Sequence, residues 1–123
     1  MLKTIVLIVV LMFLYTNTSI TIAQAPVRTL NEYTIPELVE HFSSQYSVSA
    51  ERMLTTMKCE SGLNSKAVGD YGTSIGLVQI HLPAHHNITK TEAEDPVYAT
   101  EFMAKEFSKH HQDIWSCYRE IYE

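Results

Sequence analysis

Glu60-Ser61-Gly62-Leu63-Asn64, followed four residues later by Gly69-Asp70-Tyr71-Gly72-Thr73-Ser74-Ile75-Gly76-Leu77-Val78-Gln79-Ile80, sets the character of this chain. Gly62 stands directly behind an apolar-periodic segment, where a glycine closes a helix in the left-handed conformation. From Gly62 to Gly76 the composition changes, because Asn64, Gly69, Asp70, Gly72 and Ser74 are turn formers. The segment is therefore expected to be a turn-rich connection or a small irregular hairpin. Beyond it, Thr73 or Ser74 is expected to cap a short helix through Ile75, Leu77, Val78 and Ile80, stopped by Pro83.

Working outward, Ser49 caps an upstream helix over Ala50 to Glu60, with Met53, Leu54 and Met57 as its buried stripe. A methionine stripe at helical spacing is core packing rather than a binding feature. Thr34 caps an earlier helix from Glu37 to about Tyr46, with Pro36 in its first turn and Leu38, Val39 and Phe42 facing inward. Downstream, Asp95-Pro96 joins a cap to a proline at the first helical position, starting a helix that runs to about Lys109. Val97, Phe102, Met103 and Phe107 are among its apolar positions. A last helix is expected from about Asp113 to Tyr122, carrying Ile114, Trp115, Cys117, Tyr118 and Ile121. There is no internal repeat and no interdomain linker. The expected fold class is mostly α: a small single domain of about five short helices with a Gly-rich turn segment or minimal hairpin.

The N-terminus reads differently. Met1-Leu2-Lys3 is a short basic start, and Ile5 to Tyr15 is an unbroken apolar run of 11 residues. Polar residues follow, then Ala23 and Ala25, which is the layout of a secretory signal peptide. Pro26 disfavours cleavage after Ala25, so residues 1–23 are expected to be the signal, or an uncleaved anchor through residues 5–15. Residues 24–33 are then an N-terminal linker and 34–123 the domain, which faces outward: periplasmic, cell-wall or extracellular. Without residues 1–23, Lys+Arg fall to 8 against Asp+Glu 14, a charge of −6. That excludes a protein held to nucleic acid by phosphate neutralisation. No membrane contact is expected beyond the first segment, and a monomer is expected. Cys59 and Cys117, the only cysteines, are expected to form a disulfide in an oxidising compartment, worth about 4 kcal/mol by chain entropy.

Glu60 ends a helix whose other face is apolar. The helix dipole and partial burial both disfavour its charged form there, and a general acid near neutral pH needs that shift. Glu60-Ser61-Gly at a helix end, then Gly72-x-x-x-Gly76-Leu77-x-Gln79-Ile80, resembles the lytic transglycosylase domain of the soluble (SLT) type, in the lysozyme-like α+β superfamily. The likeness covers about residues 34–110. It implies a groove for the glycan strand of peptidoglycan, with Glu60 protonating the β-1,4 bond between N-acetylmuramic acid and N-acetylglucosamine. The muramic 6-hydroxyl then attacks its own C1, Glu60 acts as base, and a 1,6-anhydro sugar forms. The resemblance further implies that Ser61 orients Glu60 or binds sugar and that Gly72 and Gly76 let backbone approach the strand. Leu77 and Val78 would border it, and Gln79 would hydrogen-bond an N-acetyl group or hydroxyl. No cofactor is implied.

The chain departs from that pattern in two places. Tyr98-Ala99 stands where the family commonly has Asn, and the family's later Ala-Tyr-Asn motif is not recognisable. Tyr118 or Tyr71 is the candidate for its hydroxyl, and Trp115 is expected in the core. Two alternatives stay open: hydrolysis with Asp70 as base, held across a water from Glu60, and a non-catalytic glycan-binding or secretion-accessory protein. His81, His85 and His86 read as solvated loop histidines, since Pro83 breaks the helix that would align the first two. No metal is expected.

Overall fold

Local signals place the helices, and long-range contacts place everything between them. The computed structural model describes residues 24–123; the expected signal or anchor at 1–23 lies outside the described residues. Five α-helices and three two-residue strands follow in order: α1 Ile35–Tyr46, α2 Ala50–Ser61, β1 Val68–Gly69, β2 Ser74–Ile75, β3 Ile80–His81, α3 Lys90–Ala93, α4 Pro96–Ser108 and α5 Ser116–Tyr122. The fold is mostly α, a small single domain with a minimal sheet.

The expected caps are in place. Before α1 the Thr34 N–H and hydroxyl both donate to Glu37, at 2.7 and 2.8 Å, and Arg28 closes on the same carboxylate at 2.7 Å. Arg28 first, then Thr34, pull the Glu37 carboxyl down to about 2. Ser49 accepts from the Arg52 N–H at the start of α2, and Gly62 ends that helix at φ +61°. Asp95 accepts from the N–H groups of Val97 and Tyr98. Within the expected linker, Leu30–Glu32 forms a 3-10 turn, and Leu30 and Tyr33 pack against the core.

Three expectations need correction. The short helix from residue 73 or 74 to Ile80 does not form. β2, a turn and β3 take its place, so the hairpin alternative extends into a three-stranded antiparallel sheet in the order β1-β2-β3. Gly76 and Gln79 adopt φ of +83° and +51°, which a right-handed helix excludes. The Gly76 N–H instead reaches back to the Ala67 carbonyl at 2.8 Å. The register sets Gly69 opposite Ser74, and Ser74 opposite His81. Second, the last helix starts at Ser116 rather than Asp113, because Gln112–Ile114 is a separate 3-10 turn and Trp115 is extended. The Trp115 indole N–H donates to the buried Val78 carbonyl at 2.7 Å, which fixes the break. Third, α3 is an added helix, marked by the Thr89/Glu92 capping box.

The core lies between α1, α2 and α4, with the sheet turn and α5 closing one side. Leu38, Val39 and Phe42 meet Met53 and Met57, and Met103 and Phe107 of α4 complete the packing; Leu54 is only partly buried. α1 packs on α4 and α2, and α2 packs on α5. Among the described residues no helix is long and apolar enough to cross a membrane.

Candidate active site

The end of α2 meets the start of α5, and Glu60 is held in that junction. Its Oε1 accepts the backbone N–H of Cys117 at 3.1 Å, while the neighbouring Cys59 is bridged to Cys117 with Cα atoms 5.9 Å apart. The two bonds fix one carboxylate from both sides. Glu60 is half-buried, and desolvation raises its pKa above the ordinary carboxylate value. The Cys117 N–H and the Ser116 hydroxyl pull the other way; the negative charges of Asp70 and Glu120 add to the rise.

Glu60 opens onto a cleft of about 370 Å³, walled also by Gly69, Asp70, Ser74, Gln79, His81, Ile114, Trp115, Ser116 and Arg119. Three residues expected at the site therefore come together: Glu60, Asp70 and Gln79. Asp70 sits at φ +48° on an exposed turn and accepts the Ser74 hydroxyl. The Gln79 side chain is wedged in place. Its Nε2 donates to the Gly76 carbonyl at 2.9 Å, and its Oε1 would clash with a β-carbon on residue 69, so any side chain there would push the Gln79 amide out of place. A second cleft of about 370 Å³, lined by Ile80, Ala84, His85, Phe102 and Glu106, shares Gln79, His81, Ile114 and Trp115 with the first. The two clefts adjoin, the one at Glu60 with the more polar wall and the other with the more apolar one.

Other residues expected at the site serve the scaffold instead. The Ser61 hydroxyl donates to the carbonyls of Leu77 and Met57, at 2.6 and 3.2 Å, and so ties α2 to the sheet turn rather than orienting Glu60. Leu77 and Val78 are 0% exposed and belong to the core. Gly76 is buried against the backbone of Ala93, so its closeness is internal, not toward a ligand. Gly72 is exposed, has nothing near it and is absent from the cleft wall. The Tyr118 hydroxyl accepts from Arg52 at 2.9 Å and its ring packs on Phe107, so the hydroxyl expected of it at Glu60 is engaged elsewhere. Tyr71 points wholly into solvent. Trp115 is 4% exposed, a core residue with one edge in the groove.

Ser74 and His81, read from sequence as a turn or cap residue and a loop histidine, and Ser116 and Arg119 are wall residues not expected at the site. Ser74 and His81 meet through the β2–β3 register, and the α5 residues reach the site through the disulfide, the Cys117 N–H bond to Glu60 and the packing of α5 on α2. Among the described residues no group of three or more His, Cys, Asp or Glu could hold a metal ion. Comparison with protein-family models, curated proteins and solved structures finds no significant match to this chain.

Proposed function

We propose that the chain is an exported glycosidase that cleaves the glycan strand of peptidoglycan at the N-acetylmuramic acid to N-acetylglucosamine β-1,4 bond. The observation that carries this reading is Glu60: a half-buried carboxyl with a raised pKa, held by the Cys117 N–H in the wall of a polar cleft that adjoins a more apolar one. A raised pKa favours the protonated form, from which the group can give its proton to a leaving oxygen. Glu60 protonates the glycosidic oxygen and the C1–O bond breaks. The muramic 6-hydroxyl then closes on C1, returning its proton to Glu60 and leaving a 1,6-anhydro end. The groove's shared wall of Gln79 and Trp115 gives the sugar a hydrogen-bonding edge and an apolar face. A second reading is favoured by Asp70, which lines the same cleft and whose charge bears on Glu60: hydrolysis, with Asp70 activating a water. The Cys59–Cys117 bridge supports an oxidising destination.

The test is mass spectrometry of fragments released from purified peptidoglycan by the wild type and by Glu60→Gln. The expected result is 1,6-anhydromuramyl products from the wild type alone. Reducing ends carrying one added water would replace transglycosylation by hydrolysis. A folded wild type that binds the sacculus but releases nothing would refute catalysis and leave a glycan-binding protein.

A further inference from the structure

Beside Glu60 the cleft contains a chain of hydrogen bonds that the reading above does not use. β2 and β3 set Ser74 opposite His81, and the turn after β1 sets Asp70 against Ser74. The Ser74 hydroxyl donates its one proton to the Asp70 carboxylate, and the Thr73 hydroxyl donates its own to the Asp70 carbonyl at 2.8 Å. Both oxygens then have only lone pairs to offer. His81 Nδ1 faces those two oxygens, 3.3 Å from Ser74 and 3.4 Å from Thr73. The hydrogen in these contacts must therefore sit on Nδ1. In the neutral ring that leaves Nε2 as the nitrogen with a free lone pair. The contacts are long, as catalytic hydrogen bonds often are before a ligand is bound.

We propose that His81 is the second catalytic group of this site: a neutral imidazole, fixed as the Nδ1–H tautomer by Ser74 and Thr73, that takes the proton of the attacking hydroxyl at Nε2. The proposal rests on the glycan-cleaving reading and assigns to His81 the second proton transfer given there to Glu60. The Glu60 proton moves to the glycosidic oxygen as the C1–O bond breaks. The attacking oxygen, from the sugar 6-hydroxyl or from water, bonds to C1 and its proton moves to Nε2. The imidazolium then releases that proton to solvent and Glu60 regains one, so both groups return to their starting states, and one water is consumed only where water is the attacking group. Asp70 becomes a positioning residue whose charge, passed through Ser74, stabilises the imidazolium. Glu60 from α2 and, in the adjoining cleft, Glu106 from α4 add negative charge around His81; Arg119 from α5 opposes them, as does His85 when protonated. Glu106 is itself engaged by Lys109 and His111.

The test is the pH dependence of kcat/KM on peptidoglycan fragments for the wild type and His81→Asn, together with nitrogen-15 NMR of the histidine rings. The wild type should show an acid limb, the signature of a base that must be deprotonated to act. His81→Asn should lose that limb and about 10²-fold or more in rate. In the NMR spectra the Nδ1–H tautomer of His81 should dominate in the wild type and give way to a mixture in Ser74→Ala. Products from both proteins with the same acid limb would overturn the role of His81 alone. A dominant Nε2–H tautomer in the wild type would do the same and needs no variant. Absence of products from the wild type at every pH would overturn the glycan-cleaving reading itself.

Discussion

Replacing Gly76 by Ala separates two costs that usually arrive together. Gly76 has φ +83° and Gly72 has φ +99°, so a side chain at either position is forced into left-handed backbone, at roughly 1–2 kcal/mol. Only Gly76 is crowded. A methyl group there would sit 2.9 Å from the Ala93 carbonyl carbon and closer still to its oxygen, whereas nothing lies within 4 Å of the same atom on residue 72. The obstacle is backbone at the end of α3, which cannot swing aside as a side chain would. Forcing it to move adds about 1–3 kcal/mol. Gly76→Ala should therefore cost about 2–5 kcal/mol and Gly72→Ala about 1–2. For a domain of this size each kcal/mol moves Tm by about 4–8 °C, so the two variants should melt well apart. Thermal melting followed by circular dichroism, with denaturant midpoints as a second measure, reads the difference directly. Equal losses in the two variants would refute the packing assigned to Gly76 and leave only its backbone conformation.

Glu60→Gln should stabilise the fold at neutral pH, because the native site raises the pKa of this carboxyl and so disfavours its ionised form. With the folded pKa above the unfolded one, wild-type stability falls as pH rises between them. The variant's advantage, a Tm gain on the order of a few degrees, should thus be full above that window and vanish below the ordinary carboxylate range. An advantage that persisted or grew in acid would contradict the sign. Reducing the Cys59–Cys117 bridge, which closes a sequence separation of 58, should cost about 4 kcal/mol and lower Tm by about 15–30 °C. Melting with and without reductant checks this, and a shift below about 4 °C would show that the bridge adds little.

The helices were legible because their signals are local. Thr34, Ser49 and Asp95 stand at the entries, Gly62 at an exit, and each acts on backbone within four residues of itself. The stretch from Ile75 to Ile80 was not legible, since its apolar spacing suits a helix as well as a turn. What decides it lies elsewhere: the Ala67 carbonyl, the Ser61 hydroxyl on Leu77, and the Ala93 backbone against Gly76. The same limit applies at the site. Glu60, Asp70 and Gln79 could be named from their neighbours in sequence. His81 reads as a loop histidine, because its partner Ser74 is seven residues away and meets it only across a strand register. The motif glycines were legible as glycines but not in their role, which is to let the scaffold close on itself.

Gly69, Gln79 and Gly76 are bound to one another more tightly than their separate places in the chain suggest. A side chain on residue 69 pushes the Gln79 amide aside, and a side chain on residue 76 meets the Ala93 backbone and strains the residue whose own carbonyl holds that amide. Changes at these three positions are therefore expected to be coupled, so that a substitution at one alters what the other two tolerate. Anyone reshaping this cleft for another ligand would have to treat the corner as a unit, including Gly76, which lies behind the wall and does not line it.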